Sequence, residues 1–218
     1  MKNFPMKKAS ITIIIMALLS ACSPAYYNTM EKFGVYKRDI LVDRVEEARD
    51  SQEDIKEQFN SALEQFASVV NYDGGSLEKI YKRLQSEYDD SVAAAEELDE
   101  RIDAIEKVAE DLFAEWQEEL DDYSNATMRR DSAQQLRDTR REYQKLIRAM
   151  RRAQAKIPPV LAVFQDQVLY LKHNLNARAI SALQQEYISI KTDVAGLVAE
   201  MERSINEANA FISSMSKE

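Results

Sequence analysis

The chain has few side chains able to do covalent or acid–base chemistry. Its 218 residues include one cysteine and one histidine. The cysteine, Cys22, follows Leu19-Ser20-Ala21. A thiol is a nucleophile that can be alkylated, and small neighbours let a processing enzyme close around the backbone. The histidine, His173, shares one helical face with Asp166 and Tyr170 through i, i+4, i+7 spacing. Imidazole titrates near neutrality, so the three are a candidate polar interaction patch or a pH-sensitive contact. The same spacing also describes a polar layer that fixes register beside a core.

Ten basic residues and three acidic ones fall between residues 126 and 156. Arg137, Arg141, Arg148, Arg151 and Arg152 form the candidate anion-binding ridge, because guanidinium meets phosphate or carboxylate through two parallel hydrogen bonds. The competing reading is a helix face neutralised by acidic neighbours. Residues 39–125 supply them, with 27 acidic residues against 8 basic ones. Clusters such as Glu96, Glu97, Asp99 and Glu100, or Glu118, Glu119, Asp121 and Asp122, read as solvated helix faces rather than paired catalytic carboxylates. No P-loop, HExxH, Gly-x-Ser-x-Gly elbow or EF-hand spacing occurs. A zinc site needs three or four ligands, and one histidine is a weak start. The expectation is a non-enzymatic protein with no catalytic residue, metal or cofactor.

Residues 1–21 account for the surroundings of the cysteine. Lys2, Lys7 and Lys8 precede an apolar run over residues 9–19, followed by Ser20 and Ala21. That run falls short of the roughly 20 residues of a comfortable membrane span. Its layout is that of a secretory signal. Leu19-Ser20-Ala21-Cys22 resembles the lipobox of bacterial lipoproteins. The resemblance implies that Cys22 receives diacylglycerol, that residues 1–21 are removed, and that the new amine is acylated. Ser23, where aspartate would retain the protein, implies export to the outer membrane, facing the periplasm. Two or more acyl chains give a stable anchor. Residues 22–28 are then a tether and residues 29–218 one elongated domain. Without its signal the chain carries a net charge of −12, so phosphate repulsion excludes a nucleic-acid partner.

Four glycines and four prolines argue against an all-β fold, which needs frequent turns. Apolar residues instead recur in steps of three and four, the spacing of helices. A first segment, from about Thr29 to Val70, carries Leu41, Val45, Ala48, Ile55, Phe59, Ala62, Phe66 and Val69, interrupted only by Gln52. Asn71 to Ser76, with Gly74-Gly75, is a turn in which Ser76 caps the next helix. A second segment, Leu77 to about Tyr123, carries Leu84, Tyr88, Ser91, Ala95, Leu98, Ile102, Ile105, Ala109, Leu112 and Trp116. A third, about Ala126 to Ile157, carries Leu136, Tyr143, Ile147, Met150 and Ile157 out of phase with the second. Pro158-Pro159 ends it. The fourth runs from about Val160 to Met215, and its steps of four through Leu175, Ala179, Leu183 and Tyr187 read as a stutter.

The expected fold is all-α: an elongated antiparallel bundle of four helices with coiled-coil heptads. The alternative is three helices, one of them a central helix of about 80 residues running through Ser124. Charge complementarity between the acidic second segment and the basic third favours a reversal at Ser124-Asn125.

Three stretches carry a further resemblance: Tyr123-Ser124-Asn125, Gln135-Leu136-Arg137-Asp138-Thr139-Arg140-Arg141, and Asp166 through Ala177 with Pro159-Val160-Leu161 before it. They are similar to a family of uncharacterised proteobacterial lipoproteins. The resemblance implies a lipoprotein and a helical bundle, and carries no activity, ligand or catalytic residue. The functional expectation is a lipid-anchored periplasmic scaffold, spacer or protein-interaction module with an envelope protein as partner. Homo-oligomerisation stays open. The alternative is a module that binds anionic envelope lipids or polymers through residues 129–156.

Overall fold

The computed structural model describes residues 36–72, 74 and 76–216. The signal, Cys22, the tether and the start of the first segment lie outside these residues. Among the described residues there are five helices: α1 Lys37–Val70, α2 Leu77–Glu119, α3 Ala126–Gln154, α4 Ile157–His173 and α5 Ala177–Met215. Among the described residues there is no strand. α4 continues the direction of α3, so the five helices make four rods in an up-down-up-down bundle. α1 packs between α2 and α5, and the α3–α4 rod packs between the same two, diagonal to α1.

The predicted stripes form the core. Leu41, Val45, Ala48, Phe59, Phe66 and Val69 of α1 are fully enclosed, as are Leu84, Leu98, Ile102, Ile105 and Ala109 of α2. Two aromatic clusters fasten the rods. Phe66 of α1 lies edge-on to Phe164 of α4 (6.3 Å) and stacks on Tyr187 of α5 (6.1 Å). Tyr143 of α3 lies edge-on to Phe113 of α2 (5.4 Å) and to Phe211 of α5 (6.5 Å). Between the clusters sits a polar layer. Gln52, the interruption in the α1 stripe, is buried and donates from Nε2 to Ser204 Oγ at 2.9 Å. The Gln52 carbonyl oxygen has no partner among the described residues.

The turns follow from local chemistry. Gly74 has φ +134°, a region closed to side chains with a Cβ. Ser76 accepts from the Lys79 N–H at 3.4 Å, as its position predicts. Asn125 Oδ1 accepts from the N–H groups of Thr127 (2.9 Å) and Met128 (3.2 Å). These bonds start α3 and complete a reversal with neither glycine nor proline. The bundle end that holds this turn also holds Tyr36 and Met215, since the Arg38 guanidinium donates to the Met215 carbonyl. The other end holds the turns at residues 71–76 and 174–176.

The fourth segment differs from its expectation. Pro158-Pro159 does interrupt the helix, because neither proline can donate back to the carbonyls of Gln154 and Ala155. It does not reverse the chain. Ala155 (φ −63°, ψ −14°) and Lys156 (φ −82°, ψ −17°) stay in the right-handed helical region. The prolines fall in the first turn of α4, where an N–H has no helical partner to lose. The reversal comes at Asn174–Asn176. Asn174 leaves the helix (φ −134°, ψ 59°) and its Nδ2 donates to the Tyr170 carbonyl at 2.9 Å. Asn176 Oδ1 then accepts from the Arg178 N–H at 3.0 Å and starts α5. The expected stutter is therefore this turn, and Leu175 is 40% exposed rather than core. Gly196 faces open space, so it is tolerated and permits no close helix approach.

The Gln52–Ser204 layer generates a test. Ser204→Ala leaves a buried amide donor unpaired and is expected to cost about 1–3 kcal/mol. The double change Gln52→Leu with Ser204→Ala removes both polar groups and should recover most of that loss. Urea unfolding of both variants checks the contrast. Equal destabilisation by the single and double variants would refute it.

Candidate functional site: two arginine faces on the third helix

Helix α3 sorts its basic residues between two faces. One face points at α2. Arg140 donates from Nη2 to the Phe113 carbonyl at 2.8 Å, and its guanidinium lies 5.4 Å from the Phe113 ring centroid. That geometry adds a cation–π attraction to the hydrogen bond. Arg151 reaches three carboxylates of α2: Asp99 at 3.1 Å, Asp103 at 2.5 Å and Glu106 at 2.5 Å. Asp99, Asp103 and Glu106 share one face of α2 by i, i+4, i+7 spacing, so a single planar fork can span them. Hydrogen bonding to Glu106, then to Asp103, holds the Arg151 guanidinium well above its usual range. Gln154 also donates to Asp99, and Trp116 Nε1 donates to Ser132 Oγ at 2.8 Å. Together these bonds hold α2 and α3 as a hairpin.

The other face points at solvent. Arg137, Arg141, Arg148 and Arg152 are all exposed there. Arg137 donates to Gln134 Oε1 at 2.6 Å, Arg141 pairs with Asp138, and Arg152 reaches Glu200 of α5 at 3.4 Å. Hydrogen bonds from Gln134 and then from Arg141 hold the Asp138 carboxyl below the usual carboxylate range. Arg203 and then Arg152 do the same for Glu200. The five expected ridge residues thus split: four line the solvent face, and Arg151 belongs to the α2 seam. Arg130, part of the expected basic stretch 129–156 though not among the five ridge residues, joins the solvent face. It lies on the same arc, seven residues before Arg137, as heptad spacing requires.

The expected patch lies at the far end of the bundle from Tyr36. Asp166, Tyr170 and His173 are all exposed on the last turns of α4. Leu169 (50% exposed) and Leu175 (40%) border them. The sequence reading assigned Leu175 to the core and passed over Leu169. Among the described residues no three His, Cys, Asp or Glu side chains converge to hold a metal ion. Among the same residues no helix is long and apolar enough to cross a membrane.

The α2–α3 seam yields two expectations. Arg151→Met leaves Asp99, Asp103 and Glu106 to repel one another. In a largely solvated network the loss is about 1–2 kcal/mol at low salt, shrinking in 1 M salt. A loss independent of salt would sink the electrostatic account. Tyr143 gives a pH test. Burial first, and Glu106 second, push its hydroxyl up to about 12. The unfolded chain deprotonates near 10, so the Tyr143 contribution is complete below that pH and is lost as pH rises toward 12. Thermal melts between pH 9 and 12 should show a steeper decline for the wild type than for Tyr143→Phe.

No curated protein and no solved structure matches the chain. A family described as a protein of unknown function, DUF2959, matches residues 26–215. That span takes in all five helices, both arginine faces and the exposed tip, and the chain belongs to the DUF2959 family.

Proposed function

We propose that the protein is a lipid-anchored scaffold of the bacterial envelope, non-enzymatic, that presents the tip of its bundle to a protein partner. One observation carries the reading: Tyr36, where the tether enters, and the exposed Leu169, Tyr170, His173 and Leu175 lie at opposite ends of the bundle. Helix α2 alone, with 43 residues at about 1.5 Å each, separates the ends by about 65 Å. Acylation of Cys22 fixes one end to a membrane, by the lipobox resemblance, and Ser23 directs it to the outer membrane. The tip then carries the exposed aromatic and apolar side chains that protein interfaces favour.

Two measurements test this. Intact mass of the purified protein should show acyl chains on Cys22 and no residues 1–21. Cys22→Ser should abolish acylation and, after a high-salt wash, recovery in the membrane fraction. A photo-crosslinking residue at Tyr170 or His173, in cells, should give a discrete protein adduct that the same residue at Glu53 on α1 does not. A tip that yields no adduct, or adducts equally frequent at Glu53, would remove the scaffold reading.

A further inference from the structure

Among the described helices, α3 is the one with a basic excess, and its solvent face carries most of it. At about 100° per residue, Arg130, Arg137, Arg141, Arg148 and Arg152 fall within a narrow arc of the helix. All five are exposed. The line they draw is about 33 Å long, at about 1.5 Å per residue. Internal neutralisation does not use it up. Arg141 and Arg152 have carboxylate partners, but among the described residues Arg130, Arg137 and Arg148 make no ion pair. Arg140 and Arg151, which do serve the fold, lie on the flank of this arc that turns toward α2.

Resting on the anchored reading of Cys22, we propose that this face docks on anionic phospholipid headgroups, laying the bundle along the membrane that holds its anchor. Guanidinium groups in a line meet headgroup phosphates bidentately. The stripe begins at Arg130, beside the Asn125 turn at the bundle end where the tether enters. Thirteen residues separate Cys22 from Tyr36. The expected tether, residues 22–28, spans at most about 25 Å at about 3.5 Å per residue, comparable with a bundle roughly 20 Å across. Repulsion from the acidic helices does not cancel the attraction. The exposed Asp43, Glu47, Asp50 and Asp54 of α1 lie diagonally across the bundle, beyond about two Debye lengths at 0.15 M salt. On α2, Asp99, Asp103 and Glu106 are held by Arg151, and of the carboxylates that act on Tyr143 of α3 Glu110 alone makes no ion pair among the described residues. The same charge distribution sets the orientation: α3 toward the lipid, α1 away from it. The tip is then displaced along the membrane surface rather than out from it.

The test uses the anchored protein in vesicles. Cys22 is the single cysteine, so once acylated it leaves no free thiol. A fluorophore can therefore be placed at Gln144→Cys, on the basic face, or at Glu53→Cys on α1. A quencher is carried on a lipid headgroup. In phosphatidylcholine vesicles with about one-third phosphatidylglycerol, the label at residue 144 should be quenched much more than the label at 53. That difference should vanish in pure phosphatidylcholine, and in the triple variant Arg130→Gln, Arg137→Gln, Arg148→Gln. Each removed arginine should weaken docking about fivefold, while three arginine-to-lysine changes should retain most of it. Equal quenching at the two positions in anionic vesicles would overturn the proposal. So would a low-salt dimer that forms without vesicles and disappears in the triple variant, since it would assign the stripe to a second copy of the chain. Intact mass of the same preparations reports acylation of Cys22 separately. The same labels in a Cys22→Ser background, mixed with vesicles without an anchor, still read the docking face, so a missing anchor and a missing face give different results.

Discussion

One guanidinium shared by three carboxylates organises the middle of this molecule. Arg151 is set between Asp99, Asp103 and Glu106, acidic charge spread over about two turns of α2. An isolated surface ion pair contributes little. Here the cation also removes the mutual repulsion of its three partners, which would otherwise oppose the close approach of α2 to any neighbour. The contact falls four residues before Ala155-Lys156, where the helical hydrogen-bond ladder lapses. The rod is thus fastened electrostatically just ahead of the place where its backbone is least continuous. Beyond it, Phe164 takes over the attachment by packing between Phe59 and Phe66.

The remaining basic side chains of α3 acquire their meaning from this arrangement. A helix with arginines on one side only would spend them all on its acidic neighbours. With Arg140 and Arg151 serving the seam, the arc from Arg130 to Arg152 is left over, facing away from the bundle. The same division explains why net charge was a poor guide to partners. A total of −9 describes no surface of the folded chain. Helix α2 carries 15 acidic residues against 5 basic ones, and the neighbouring α3 carries 9 basic against 3 acidic.

Much of the fold was legible because core packing repeats with the helix. The stripes of α1 and α2 identified buried positions in long uninterrupted segments, and Ser76 was recognisable as a cap because it follows paired glycines. Legibility failed where two different structures produce one spacing. Steps of four through Leu175 and Ala179 are shared by a stutter and by a turn flanked by two helices. The deciding residues were Asn174 and Asn176, whose amides bond to local backbone groups and make a reversal without glycine. Asn125 works the same way. Prolines misled in the opposite direction: at Pro158-Pro159 the missing donors interrupt the ladder, yet both rings suit the first turn of a helix. At the candidate site, the residue types were legible and their sorting was not. Whether Arg151 faces carboxylates or solvent depends on which turn of α2 lies beside it, which is a tertiary relation.

The even number of rods has a topological result. A chain that goes up, down, up and down returns to its starting level, and the contact between Arg38 and Met215 marks that return. Polypeptide appended after Met215 would therefore emerge beside the tether. Sequence inserted at the 71–76 or 174–176 turns would emerge at the opposite face of the molecule. Variation in loop length at those two turns changes what the tip offers, while the anchor end and the arginine arc stay as they are. The bundle separates, by geometry alone, the part of the chain that can diversify from the part that holds it in place.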